Sequence, residues 1–377
     1  MKMKFILFLL PLVVYFSMCR DVKKSSDPRD VVVDTTMIKM LIPGDGSGVW
    51  SGGDGAISVP IKKDKSLWLF GDSFMGRIAD GKRDKEKSRM VFGNLIVELD
   101  GEKARTIHAG TPESPAPVVV SEKVDGHNTV YWPHHGFVKN NILHVLMTQI
   151  VFEKPGMWGF RANQIRYFRL RLPDYTLIDD EPVDSYEVNG VNLGFSFYEH
   201  EGYYYCYGNH VEGFSATLHA ARAKLVDDKL QEWEYFDGTD WGGDPAATRP
   251  LEGIDVGVSS QFSVFPYEDK FILLVQGRLV KEIYTFISDS PTGPWRNKKL
   301  IYTVPEPIED ERLFSYNAMA HPQYERDGMF LVSYCMNTSD VEQAWNDMKA
   351  TIPYFIWVPY EMVLNEVPQQ PDPENVS

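Results

Sequence analysis

The strongest constraint in this 377-residue chain is a short strand-like run, rich in aromatic and β-branched residues, that returns five times. It occupies residues 66–71, 141–149, 202–208, 270–277 and 328–336, so successive starts lie 75, 61, 68 and 58 residues apart. Most are followed by another run and a Trp- or Pro-marked turn, as at 216–225 before Trp233 and 283–288 before Pro294-Trp295. Between residues 41 and 364 there is no linker, no charge block and almost no helical periodicity beyond a faint pattern at 341–350. Five units of about 65 residues, each with several short strands, predict an all-β chain folded as a five-bladed β-propeller. A β-sandwich of generic hairpins is the competing architecture.

The ends read differently. Lys2 and Lys4 precede a twelve-residue apolar stretch at 5–16, too short for the roughly 20 residues a membrane-spanning helix needs. Residues 1–18 therefore read as an export signal. It ends in Phe16-Ser17-Met18-Cys19, which resembles a bacterial lipobox with Cys19 as the acylated residue. Phe16 and Met18 stand where Leu and a small residue are usual, so plain signal-peptidase cleavage is the alternative. Residues 19–40 read as a polar tether, 41–364 as the propeller domain and 365–377 as a frayed tail. The expected location is a bacterial cell envelope, either lipid-anchored at the outer membrane or cell surface or free in the periplasm, with membrane contact only through the N-terminal lipid.

Charge and cysteine usage narrow the partners. Lys plus Arg number 38 against 53 Asp plus Glu, a net charge of −15 that offers no footprint for a nucleic acid. No protein partner is predicted. Cys206 and Cys335 lie in two different repeat units. A disulfide needs Cα atoms within about 7 Å, so both are expected to be buried free thiols. No Cys-x-x-Cys, His-Glu-x-x-His or EF-hand pattern occurs, and neither a metal nor a cofactor is predicted.

Candidate chemistry comes from the first repeat. Residues 57–61 and 66–70 form a hairpin around the polar turn 62–65, and pairing Ile61 with Ser66 sets Asp72 opposite Gly55, beside Asp54. Two carboxylates 18 residues apart in sequence then meet at one open end of the hairpin, where a slip or bulge of one residue decides whether they share a face. Adjacent carboxylates drive their ionisations apart and can supply the acid and base of glycosidic cleavage. Alternatively, Asp72 caps the Gly71 turn and Asp54 satisfies backbone N–H groups in its glycine-rich loop. The same placement nominates His134, His135, Asn192, Gln261, Asn317 and His321 at the starts of inner strands as sugar-binding groups. His210, Arg278 and Asn337 are nominated at the ends of second strands. Each could instead satisfy sheet backbone, and in a regular strand one of His134 and His135 points away. Trp132, Trp158 and Trp241 are candidates for stacking on sugar faces or for packing.

Ser51-Gly-Gly-Asp54-Gly-Ala-Ile-Ser-Val-Pro60 and Leu67-Trp-Leu-Phe-Gly-Asp72-Ser-Phe74 together resemble the first blade of a family of exported, five-bladed, glycoside-hydrolase-like proteins. That family, formerly a domain of unknown function, is related to endo-D-arabinanases. Ile287-Ser-Asp-Ser-Pro-Thr-Gly-Pro-Trp295 resembles a blade ending shared with glycoside hydrolase family 43. Tyr316-Asn-Ala-Met-Ala-His321-Pro322 with Leu331-Val-Ser-Tyr-Cys-Met-Asn337 resembles the family's last blade. The resemblance implies a glycoside hydrolase acting on a complex glycan, arabinofuranose-containing polymers among them, with Asp54 and Asp72 at the catalytic-type positions. A non-catalytic glycan-binding lipoprotein is the other reading. Which aspartate is acid and which nucleophile or base stays open.

Overall fold

The computed structural model describes residues 30–156, 159–213, 215–278 and 280–365. The signal, Cys19, Trp158 and nearly all of the C-terminal tail lie outside the described residues.

The chain is all-β, and among the described residues its strands pair into seven antiparallel sheets, one of three strands, one of two (Ala109–Thr111 with Ser114–Ala116) and five larger ones that follow one another in sequence. The first contains Ile57–Lys62, Lys65–Phe70, Leu95–Asp100 and Lys103–Ile107. The second contains Thr129–Lys139, Ile142–Phe152, Phe160–Arg171 and Thr176–Val183, and the third Val191–His200, Tyr203–Glu212, Ser215–Val226, Lys229–Phe236 and the short Trp241–Gly242. Val258–Tyr267, Lys270–Gly277, Glu282–Ser288 and Arg296–Thr303 make the fourth. In the fifth, Leu313–Arg326, Met329–Thr338 and Pro353–Pro359 are joined by Val32–Asp34 from the other end of the chain. Each of the five recurring sequence runs is the second strand of its sheet.

Those runs are continuous rather than alternating because both faces are covered, so every position meets apolar neighbours. In Lys270–Gly277, Phe271, Leu273 and Val275 pack with the third sheet, while Ile272 and Leu274 pack with the fifth. Five apolar clusters repeat this arrangement. They are shared by the first and second sheets, the second and third, the third and fourth, the fourth and fifth, and the fifth and first.

Polar bonds join the first strands of neighbouring sheets. His135 Nε2 lies 3.2 Å from Ser58 O, and His135 Nδ1 accepts from Phe197 N at 3.1 Å. Ser196 Oγ donates to Val264 O, Ser263 Oγ accepts from Ala320 N, and His321 Nδ1 meets Ser58 Oγ at 2.6 Å. His135 makes its bonds from within a ladder break and Ser196 from the edge of one, whereas Ser58, Ser263, Ala320 and His321 remain paired in their own sheets. Register shifts fall between Pro133 and Gly136, Leu193 and Ser196, Val258 and Phe262, and Tyr316 and Met319. Gly194 belongs to this pattern: its φ is +109°, and a Cβ there would come within 2.7 Å of Leu146.

The stretch read as a tether, 19–40, is corrected in its second half. Val32–Asp34 pairs with Pro353–Pro359, Val32 opposite Trp357 and Asp34 opposite Phe355, and the helix Met37–Leu41 buries Met37 and Leu41. The carboxylate of Asp34 is the anchor, accepting from Trp357 Nε1 at 2.9 Å, Thr36 N at 2.9 Å and Met37 N at 2.7 Å. Burial pushes its pKa up, but these donors outweigh it and hold the group below its ordinary value. The faint helical pattern at 341–350 is a helix at Val341–Asn346 followed by a 3-10 turn at Met348–Thr351.

Asp34→Ala should cost about 2–4 kcal/mol in chemical denaturation, because it strands charged-group hydrogen bonds of about 1.5–3 kcal/mol each. The depressed pKa stabilises the fold above the unfolded value, so the wild-type advantage should shrink as pH falls below about 4. Equal stability at pH 7 would show that the terminal strand is not held by this carboxylate. Cys206 and Cys335 are free and buried, in clusters shared by different pairs of sheets. A thiol reagent should find neither in the native protein and both after denaturation without reductant.

Candidate active site

The first hairpin departs by one residue from the sequence reading. Lys62 pairs with Lys65 as the turn requires, but Ile61 is extruded and Pro60 then faces Ser66. Proline cannot donate to a ladder and is tolerated at such bulges. Beyond the bulge the partners are Ser58 with Trp68 and Ile57 with Leu69, and past a break they resume as Gly53 with Ser73. Asp72 therefore stands opposite Asp54 itself rather than Gly55. Asp54 N donates to Asp72 O at 3.2 Å and Gly71 N to Asp54 O at 2.7 Å. Closeness at this point requires glycine: Gly53 has φ +152°, and a Cβ would lie 2.6 Å from Asp72 O.

From the break the hairpin continues as a separate three-stranded sheet, Trp50–Gly53, Ser73–Ala79 and Lys82–Val91. Buried Arg83 fastens it, donating to Ser51 O at 2.8 Å and to Ala344 O at 2.6 Å beneath the helix Val341–Asn346.

Both aspartates are recessed yet partly accessible. Asp72 Oδ1 accepts from Gly93 N at 2.8 Å and from Trp132 Nε1 at 3.0 Å. Asp54 Oδ1 lies 3.3 Å from Asn337 Nδ2, which also donates to Tyr316 Oη at 3.1 Å, and the Tyr316 hydroxyl hydrogen-bonds Asp54. Among the described residues no ion pair reaches either carboxylate. Burial raises Asp54 to about 7, the Tyr316 bond opposes the rise and the charge of Asp72 adds to it. Burial raises Asp72 to about 6 against the Gly93 and Trp132 donors. Both carboxyls are thus raised well above the ordinary carboxylate range, and the pair titrates toward neutrality.

The three nominated inner-strand histidines are placed differently from the sequence reading. His321 is fully buried with Nδ1 on Ser58 Oγ and Nε2 on Ser333 Oγ, and burial lowers its pKa to about 3. His134 has Nδ1 on Leu193 O and Nε2 on Thr148 Oγ1, and His135 is spent on Ser58 and Phe197. Burial lowers both to about 4. All three are neutral bolts between sheets, with no ring nitrogen left for a sugar. His134 and His135 need not alternate because both sit in the bulge.

Gln261 and Asn317 stand in the ladder breaks of the fourth and fifth sheets, while Asn192 is still paired with Asn209, just before the break that follows Leu193 in the third. Asn192 Oδ1 lies 3.2 Å from Thr148 Oγ1. Gln261 Oε1 is buried without a hydrogen-bond partner among the described residues, Asn317 has φ +57°, and half-buried Arg278 is fixed through its backbone to Gly257 O. His210 belongs to a separate cavity on the third sheet. Trp241 packs on Phe236 and under Arg222 at that sheet's edge. Tyr316 and Gly93 were missed. Tyr316 carried a signal, since it precedes the Asn317 break and pairs with Cys335, two residues from Asn337. Gly93 carried none. Among the described residues no group of three or more His, Cys, Asp or Glu is gathered to hold a metal ion.

A crystal structure of a candidate hydrolase from Bacteroides ovatus superposes with a TM-score of 0.70 at 20% identity, covering 87% of this chain and 89% of its own. GH43B of the Bacteroides ovatus xyloglucan PUL gives 0.48 at 11% identity over 86% of this chain and 58% of its own. The exo-beta-1,3-galactanase of Phanerochaete chrysosporium gives 0.45 at 10% over 81% and 60%. The first of these establishes the shared fold. No curated protein matches the sequence. A family model covers residues 46–360, and the chain belongs to that family, described as Domain of unknown function (DUF5005).

Proposed function

We propose that the five sheets close as the blades of a propeller and that the chain is an exported glycoside hydrolase whose acid and base are Asp54 and Asp72. The carrying observation is the directly opposed pair, partly open to solvent, with no ion pair to either carboxylate among the described residues and with burial raising both pKa values. The cyclic order of the apolar clusters and of the inter-sheet bonds supports the blades, and the hydrolase name of the Bacteroides ovatus neighbour supports the reaction class. Asp54 is the acid, protonating the glycosidic oxygen. Asp72, kept ionised by two N–H donors on Oδ1, keeps Oδ2 for the substrate or its attacking water. Asn192, Gln261, Arg278, Asn317 and Asn337 supply donors and acceptors for sugar hydroxyls, and the polymer is a complex glycan, arabinans included. Export and anchoring through Cys19 belong to the same reading. Wild-type protein should sediment with membranes and Cys19→Ala should not; an unmodified N-terminus in soluble wild type would refute the anchor.

Asp54→Asn and Asp72→Asn should each lower kcat on a cleaved glycan by about 10²–10⁴ with the fold intact. Full activity in either, at unchanged thermal stability, would remove that residue from the mechanism. A panel of arabinans, xylans and galactans, read by released reducing ends, identifies the substrate.

Rate against pH should be a bell, its acid limb set by Asp72 near 6 and its alkaline limb by Asp54 near 7. Tyr316→Phe removes a bond that favours ionised Asp54, so its alkaline limb should move to higher pH; movement the other way would contradict the assignment.

Raised carboxylates oppose folding once the unfolded chain has ionised. That cost begins above the ordinary value of 3.8 and is complete above about 7 for Asp54. Asp54→Asn should therefore melt higher than wild type at pH 8, with the gain absent at pH 4.

A further inference from the structure

A cavity of about 350 Å³ opens on the third sheet, and neither Asp54 nor Asp72 lines it. It is walled by the end of the helix Ser185–Asn189, the end of Tyr203–Glu212, the start of Ser215–Val226 and the residues following the 3-10 turn Pro245–Ala247. Its size falls at the lower end of the ~300–1,000 Å³ typical of small-molecule sites.

The wall is held in place from behind. Asn189 bonds to Pro245 O through Nδ2 and accepts from Val191 N at 3.1 Å through Oδ1. Arg249 Nη1 donates to the carbonyls of Ala246, Ala247 and Thr248 at 3.4, 3.0 and 2.9 Å, which pins the guanidinium. His219, 4% exposed, meets Thr217 Oγ1 at 3.1 Å and Thr248 Oγ1 at 3.4 Å. Burial, with His210 and Arg249 nearby, lowers its pKa to about 4, so it is a neutral ring orienting two hydroxyls. His210 and Glu212 line the cavity without a side-chain hydrogen bond to any described residue.

The lining selects its ligand by exclusion. Glu212 and the chain's net charge of −15 disfavour an anion, and Arg249 disfavours a cation. A carboxylate, a guanidinium, an imidazole and fixed hydroxyls beside the apolar surface of Val191 and Pro250 suit a neutral ring carrying many hydroxyls. His210 and Glu212 end the second strand of their sheet, as Asp72 follows the second strand of the first, so both sites lie at the same end of the sheets.

We propose that this cavity is a second carbohydrate site, which holds a neutral sugar unit of the glycan at a distance from the bond being cleaved. The proposal rests on the glycan reading above. It is tested with full-length Asp72→Asn protein and short and long neutral oligosaccharides of the arabinan, xylan and galactan series, by calorimetry and amide hydrogen exchange. Long oligosaccharides should protect residues 189–191, 210–213, 215–219 and 246–249. Adding Glu212→Ala or Thr217→Val should weaken long-chain binding roughly five- to tenfold. In the otherwise wild-type chain, the same two changes should leave turnover of short substrates intact. Wild-type turnover, with no protection and no effect of either variant, overturns the second site and leaves the hydrolase standing. Protection and variant sensitivity without any turnover support the second site and overturn the hydrolase. Neither turnover nor protection overturns both.

Discussion

Ser58 is the residue on which the arrangement of the first, second and fifth sheets converges. Its hydroxyl meets His321 Nδ1 and Gln323 Nε2, both at 2.6 Å, and its carbonyl meets His135 Nε2 at 3.2 Å. Apolar clusters hold sheets together face to face, but non-directional packing leaves sliding inexpensive. Short polar bonds at a buried position do not, because a slip would leave buried donors unpaired. Ser58 lies four residues after Asp54, just beyond the break that separates Trp50–Gly53 from Ile57–Lys62, so fixing it anchors one side of that break. The tautomers follow as well: His135 accepts at Nδ1 from Phe197 N, which leaves the proton on Nε2 for Ser58.

The irregularities in the inner strands serve two ends at once. A strand that bulges frees backbone and side-chain groups from its own ladder. In the second sheet those groups, His134 and His135, turn to the neighbouring sheets. In the first sheet the break turns Asp54 toward Asp72 instead. Ladder breaks thus yield part of the cement between sheets, at His134 and His135, as well as the candidate chemistry at Asp54, and a polar residue at a break is not thereby a binding residue.

That ambiguity explains what could be read from the sequence. The all-β class and the five larger sheets were legible because a strand buried on both faces is apolar at nearly every position, whereas the three-stranded sheet Trp50–Gly53, Ser73–Ala79, Lys82–Val91 was not, because Lys82–Val91 is largely polar and exposed. The reduced thiols followed from the same periodicity. The aspartate pair was legible to within one residue, since Pro60 marks the place where the ladder fails but not which residue is extruded. The histidines were left with two readings, because His-Pro and His-His-Gly look alike in sequence whether the rings face a cleft or a neighbouring sheet, and the structure has them bonded within and between sheets from strand interiors. Residues 32–41 misled because a strand of three residues, held chiefly by Asp34, has too little apolar pattern to stand out from a tether.

The acidic surface clarifies why Asp54 and Asp72 are unusual among 53 Asp and Glu residues. Asp179, Asp289 and Asp310 are paired with Arg169, Arg296 and Arg312, and each is held below the ordinary carboxylate value mainly by that partner. Even Asp34, with no cation, gathers enough N–H donors to stay low. Asp54 and Asp72 have donors too, yet burial prevails at both. A fold selected only for stability would place an arginine in the recess or replace one carboxylate. Instead, the backbone brings the two within a single ladder step, and Arg83, the buried cation nearest in sequence, is turned to the carbonyls of Ser51 and Ala344. The recess is thereby left with two carboxyls that titrate toward neutrality at a cost to folding, which is the property the proposed acid-base chemistry would use.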